Sequence, residues 1–181
     1  KIELLPQMER LRDQGYDVLC LTDSIDEFCM KMMHDYQGKE FKSISDDNLD
    51  LESQDEKEEI ETLTKEYQPI LDQMRQALGD KVTAVQFTSR LKSHPCCLTT
   101  KGIVSLEMEK VLNQQPGQDK VHAERILELN AEHPIFQKIK TAEPEKLKKY
   151  AQVLYAQAQL IEGLPIDDPV AYANTVCDLL A

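Results

Sequence analysis

Seven apolar residues recur at helical spacing between positions 60 and 78: Ile60, Leu63, Tyr67, Ile70, Leu71, Met74 and Leu78, with Gly79 directly after them. Such a stripe buries one side of a helix, and a glycine just past its end supplies a left-handed stop. The period then changes. From Val82 to Leu91 the chain alternates, with Thr83, Val85 and Phe87 on one side and Val82 and Ala84 on the other, which is the two-residue period of a strand rich in β-formers. A long helix that runs into a strand constrains the chain to a mixed α+β fold. Pro69 falls inside the stripe; it lacks an N–H and crowds the carbonyl four residues back, so the helix is expected to kink or restart there.

A second strand is expected after the turn at His94-Pro95 and a third over Arg125 to Leu129, giving a sheet of about three strands. Between them a helix from about Val104 to Gln114 is closed by Pro116-Gly117. The last forty residues read as two helices. The first carries Leu147, Tyr150, Ala151, Leu154, Ala158 and Ile161 on one face, and Val153, Ala156 and Leu160 add a second apolar strip. The second opens at Asp168, a good N-cap, with Pro169 in the favoured first position; Tyr172, Val176, Leu179 and Leu180 share a face that Ala173 and Cys177 widen.

The first 45 residues alternate in type. A helix ends near Gln14 with Gly15 as its stop, a strand covers Tyr16 to Leu21, and a helix opened by Ser24 carries Ile25, Phe28, Cys29, Met32 and Tyr36 before Gly38 closes it. A strand from Phe41 would then lie parallel to the first in a right-handed βαβ unit, a small α/β/α layer. The polar, acidic stretch from Asp46 to Glu59 suits a solvated linker, which places a boundary between residues 1–50 and 51–181. The expected architecture is thus a small α/β/α subdomain joined by a long helix to a helix-rich domain with a small sheet.

With 181 residues, 41% of them hydrophobic, the chain can bury a sizeable core. Its formal net charge of −12 disfavours nucleic acid and an anionic membrane face as partners. No apolar run approaches the roughly 20 residues that span a bilayer, and neither a starting Met nor a signal segment opens the chain, so it reads as a soluble excerpt of something longer. Cys20, Cys29, Cys96, Cys97 and Cys177 lack the spacing of a secreted disulfide scaffold, which fits a reducing cytoplasm.

Three blocks of the second half carry more than a fold class: VTAVQFTSRLKSHPCCLTT from Val82, SLEMEKVL from Ser105 and ERILELNAEHPI from Glu124. Together they resemble the C-terminal domain of the bacterial 90-kDa heat-shock chaperones, in the order and near the spacings of that family. Upstream, Leu4 to Ser45 looks like the last subdomain of the family's middle domain. The resemblance covers nearly the whole chain, with Asp46 to Glu59 weakly matched. It implies a dimerisation and client-contact fragment of an ATP-dependent chaperone, with self and unfolded proteins as partners. ATP and Mg would be bound by an N-terminal domain that these residues do not contain, so the fragment itself is expected to hold no cofactor and to have no ATPase activity. The eukaryotic cytosolic relatives end in a Met-Glu-Glu-Val-Asp tail, whereas this chain stops at Asp178-Leu179-Leu180-Ala181, so co-chaperone recruitment by that tail is not expected.

Burial of a Leu or Val side chain is worth roughly 1.5–3 kcal/mol, so a terminal helix pair with two apolar strips is only half satisfied by its own domain. Two such hairpins about a two-fold axis would form a four-helix bundle. The family uses that arrangement, which implies an interface at Tyr150, Leu154, Ala158, Ile161, Tyr172, Val176, Leu179 and Leu180; the alternative is that these helices finish a monomeric adaptor domain. The stretch Ile103 to Leu112 likewise holds more apolar residues than one buried stripe requires. By resemblance, Val104, Met108, Val111 and Leu112 would face unfolded clients, a role for which unbranched Met is suited, with Asn113 shrinking the patch. The plainer alternative makes Met108 and Leu112 core residues.

No phosphate loop, dinucleotide fingerprint or nucleophile elbow is present in the sequence. His122-Ala123-Glu124 and Pro95-Cys96-Cys97 superficially resemble a zinc deaminase signature, but the order is reversed and the cysteine spacing is wrong. Adjacent cysteines on a strand point to opposite faces and cannot readily share an ion. Cys29 and His34, five apart on an expected helix, lie on different faces, and Glu56, Glu58, Glu59 and Glu61 read as a solvated charge run. A thiol or metal enzyme using Cys96, Cys97 and His94 is the remaining alternative of a different class.

Overall fold

The computed structural model describes residues 5–47, 49, 52–114 and 120–181. Their order is α1 (Met8–Asp13), α2 (Asp26–Met33), β1 (Asp35–Tyr36), β2 (Lys39–Glu40), α3 (Gln54–Leu78), β3 (Ala84–Phe87), β4 (Cys96–Lys101), α4 (Leu106–Leu112), β5 (Glu124–Leu129), α5 (Pro134–Ile139), α6 (Pro144–Ile161) and α7 (Pro169–Leu180). The result is an α+β fold with a helix-rich region and a small sheet.

Helix α3 starts with a capping box. Ser53 accepts from the Glu56 N–H, and the Glu56 carboxylate accepts from the Ser53 N–H at 2.8 Å, so two orphan donors are satisfied at once. The helix runs unbroken through Pro69 rather than restarting. Leu71, Met74 and Leu78 beyond the proline are buried, and Ile60, Leu63, Tyr67 and Ile70 pack on the same core, so both halves are held by the apolar stripe despite the missing N–H. Gly79, at φ 60°, ends it.

The three-stranded sheet has the order β3-β5-β4, with β5 parallel to β3 and antiparallel to β4. Register fixes the faces. Val85 lies beside Leu127 and Phe87 beside Leu129, while Cys96 faces Leu129 and Leu98 faces Leu127; all six belong to the core that α3, α5 and α6 cover. Tyr67, Phe87 and Phe136 meet edge to face at centroid distances of 4.9–6.3 Å and tie α3, β3 and α5 together. Helix α5, not expected from periodicity, opens on His133, whose ring nitrogen accepts from the Ile135 N–H, with Pro134 at its first position.

The opposite sheet face carries the polar Gln86, Thr99 and Glu128 beside Cys97 and Ile126, and the N-terminal part of the chain holds a separate apolar cluster of Met8, Leu11 and Leu49. Here the structure corrects the sequence. Tyr16 to Leu21 and the stretch from Phe41 form no strands, and the parallel βαβ pair is replaced by the antiparallel hairpin β1–β2. Helix α2 stops at Met33, Tyr36 lies in β1, Ile25 rather than Ser24 holds the N-cap position, and Gln37 and Gly38 form the hairpin turn at φ 52° and 76°. The physical reason is competition for partners: Lys39–Glu40 pairs back on Asp35–Tyr36, and residues 45–47 bond to the outer edge of β4 at Thr100, so no strand is left beside residues 16–21. Pro116 and Gly117 lie outside the described residues.

Candidate functional surfaces

Arg90 and Glu128, at 2% and 1% exposure, form an ion pair of 3.1 Å on the polar sheet face. The guanidinium also donates to the carbonyls of Asp46 and Asp47 at 2.9 and 3.0 Å. It therefore clamps the segment entering α3 to the central strand. Burial pushes the Glu128 carboxyl up, against the opposing pull of Arg90. Gln7 adds a second clamp, donating to the Leu98 carbonyl at 3.2 Å and to Glu162 at 2.7 Å.

Cys96 and Cys97 sit on opposite faces of β4, as alternation requires. The Cys96 thiol donates to the Leu154 carbonyl inside the apolar core, and Cys97 points at Glu128 across the sheet. Burial pushes Cys96 up to about 12 and Cys97 well above its usual value, which leaves neither as a ready thiolate at neutral pH. His94 engages Glu9 at 3.1 Å and neither cysteine. Among the described residues no group of three or more His, Cys, Asp or Glu is placed to hold a metal ion.

Helix α4 is anchored at both ends. Ser105 caps it by accepting from the Met108 N–H and donates to Glu27 of α2 at 2.6 Å, while Lys31 of α2 donates to the Ile103 carbonyl at 2.6 Å. Its polar side holds Glu109, which accepts from Arg125 of β5 at 2.8 Å and from the Ala123 N–H at 2.9 Å; Arg125 in turn reaches the Tyr155 hydroxyl of α6. Lys110 donates to the Glu162 carbonyl just past α6. Burial pushes the Glu162 carboxyl up, offset in part by the Gln7 hydrogen bond and Lys110. Of the residues that the resemblance assigns to client contact, Met108 is buried, Val104 packs against the main core, and Val111 and Leu112 are half-buried. Ile103, at 78% exposure, is the most open apolar residue beside them. Exposed Ile25, Met32 and Met33 of the α2 region stand on the element that Lys31 and Glu27 join to α4.

Helices α6 and α7 form an antiparallel hairpin, pinned by Lys149 to Asp178 at 2.7 Å. Tyr150, Leu154 and Ala158 are buried in the chain's own core, because α6 covers both α3 and β4; Ile161 is half-buried and Leu160 exposed. Helix α7 differs: none of its residues is buried. Tyr172, Val176 and Leu179 are half-buried, Leu180 is 82% exposed and Val170 70%. The sequence missed the anchors on Arg90, Glu109 and Arg125, since long-range charge pairing leaves no periodic signal; Ser53 and Glu56 did carry the capping-box spacing.

Residues 1–181 match the Hsp90 protein family, and the chain belongs to it. It is 48% identical over its whole length to the chaperone protein HtpG of Natranaerobius thermophilus, and over 99% of its length 50% identical to that of Clostridium acetobutylicum and 44% to that of Bacillus subtilis. In each case the chain spans 29% of the relative's length. The resemblance to the bacterial 90-kDa heat-shock chaperones read from the sequence thus holds at the level of the family.

Proposed function

We propose that the chain is the end of the middle domain, residues 1–50, followed by the C-terminal dimerisation domain, residues 51–181, of a cytoplasmic chaperone that works as a homodimer on unfolded proteins under stress. The observation that carries this reading is α7: twelve residues, mostly apolar, none buried. An amphipathic helix gains its stability in a protein chiefly from packing its apolar face, and α7 has apolar residues on more sides than α6 can cover. A second copy supplies the missing surface through α7 and the end of α6 at Leu160 and Ile161, with Tyr150, Leu154 and Ala158 supporting the helix from beneath. The two separate apolar clusters support the division near residue 50. Ile103, Val111 and Leu112 form the client face in this reading, with Val104 and Met108 behind them. ATP binding and hydrolysis then belong to parts of the protein outside these residues.

Solution mass tests the reading. The whole chain is expected at dimer mass, and a chain ended after Pro165, which loses α7 but keeps the core helix α6, at monomer mass while still folded. Ending it after Ala142 would remove the core residues Leu147, Tyr150, Ala151 and Leu154 as well and would not separate dimerisation from folding.

A further inference from the structure

Between the inner side of α7 and the pair formed by α3 and α6 lies a cavity of about 190 Å³. Its polar lining comes from Lys81 just past α3, Tyr155 and Gln159 of α6, and Asp167 and Asp168 of the loop that leads into α7. Lys81 donates to Asp167 at 2.7 Å and stands 5.9 Å from the centre of the Tyr155 ring. The chain itself thus sets a cation between a carboxylate and an aromatic face. Gln159 is only 5% exposed; its amide N–H donates to the Pro165 carbonyl at the long distance of 3.5 Å, and its Oε1 accepts from no group among the described residues. An amide oxygen so enclosed and without a donor is costly, and here it lines a space that a donor can enter.

We propose that this cavity is a binding site for a guanidinium or amidinium group. Three features select that chemistry. The lining sets two carboxylates, Asp167 and Asp168, against the single ammonium of Lys81, which favours a further cation. A planar fork of N–H donors can meet the Asp167 carboxylate through two parallel bonds, offer another donor to the Gln159 oxygen and lay its face on Tyr155. The Lys81 ammonium is a point charge without that fit, and it stands near the outer limit of ~6 Å for attraction to a ring face. Size is the third feature: the volume falls below the roughly 300–1,000 Å³ of sites for drug-sized molecules, so the occupant is a small molecule or a single arginine side chain. Lys81 and Asp167 are both exposed, and an ion pair of that kind is weak, so the incoming group displaces Lys81 at little cost. Helix α7 buries no residue of its own, so an occupant seated against α3, α6 and α7 together also holds the terminal helix in place.

Titration of the whole chain with benzamidine and with Nα-acetyl-arginine amide, followed by backbone amide NMR, tests the site. Shifts are expected to cluster at Tyr155, Gln159 and Asp167. Asp167→Asn should weaken binding at least tenfold, with circular dichroism as the check on folding. Lys81→Ala, which removes the competing ammonium, should tighten it at least threefold, and it carries the test alone if the first variant folds poorly. Binding of benzamidine but not of the arginine amide marks a small-molecule site, whereas binding of both marks one that also accepts an arginine side chain of another protein. Nα-acetyl-lysine amide bound as tightly as its arginine counterpart would overturn the selection of a planar cation. Shifts scattered over the acidic surface, with equal affinity in the parent and both variants, would show general attraction to a chain of net charge −12 and overturn the site, as would the absence of shifts at millimolar benzamidine. None of these outcomes depends on whether the chain is a dimer.

Discussion

Glu109 of α4 and Arg125 of β5 form a 2.8 Å ion pair that fixes the short helix to the central strand, and the same guanidinium holds the Tyr155 hydroxyl of α6 at 2.9 Å. Burial works against the Arg125 charge, but the Tyr155 hydrogen bond and Glu109 outweigh it and hold its pKa above the ordinary value. Removing either partner leaves a largely buried charge without its ion partner, with Arg125 keeping only the Tyr155 hydroxyl and Glu109 only the Ala123 N–H, at a cost of about 1–3 kcal/mol. Glu109→Ala and Arg125→Ala should each lower the urea midpoint by that measure, and the double variant should cost less than their sum. Additive losses would show that the two side chains act independently.

Glu9 sets an acid limit on the docking of the first segment. Its burial raises the pKa, but the Ser93 hydroxyl and the N–H groups of Lys92 and Ser93 outweigh that and bring it from 4.5 to about 2. A carboxylate depressed in the folded state contributes stability that is complete above about pH 4.5 and is lost as pH falls toward 2. Glu9→Gln should therefore be less stable than the parent at pH 7 and flatten the loss of stability between those limits. An unchanged pH profile in urea melts would count against the contact.

Thiol chemistry should divide the cysteines three to two. Cys20, Cys29 and Cys177 are exposed and Cys96 and Cys97 buried. Under dilute native conditions three thiols should react with Ellman's reagent rapidly, and the remaining two only on unfolding. Fast reaction of Cys96 or Cys97 would revive a thiol-based role for this strand.

The proposed client face is tested by substitutions that separate surface from core. Ile103→Asp should leave the stability within the ordinary scatter of surface changes, about 0.5 kcal/mol, and weaken the suppression of aggregation proposed for the full-length protein. Met108→Ala, at a buried position, should cost about 2 kcal/mol or more. If Ile103→Asp holds an unfolded reporter as well as the parent does, the face lies elsewhere.

Much of the architecture was legible because it rests on local periodicity. The stripe from Ile60 to Leu78, the alternation at Val85 and Phe87, the caps at Asp168-Pro169 and the apolar side of α6 all repeat at the period of the element they build. What failed did so through pairing. Tyr16 to Leu21 has the composition of a strand, yet a strand exists only beside another, and the neighbour it needed is folded back in β1–β2 or bonded to Thr100. Pro69 misled in the other direction, because tertiary burial on both sides of it offsets the lost hydrogen bond. For the surfaces, sequence could mark Leu154 and Leu180 as apolar, but only packing separates them: the first is sealed beneath α3 and β4, and the second is left open on α7.

Dimerisation through α7 is measured most directly by sedimentation equilibrium of the chain beside a Val170→Glu, Leu180→Glu variant, over a wide concentration range and with circular dichroism as the check on folding. The parent should fit a dimer and the variant a folded monomer, since two carboxylates per copy would have to be buried against each other. A parent that remains monomeric at the highest concentration, or a variant that dimerises as tightly as the parent, would rule out α7 as the surface that joins two copies.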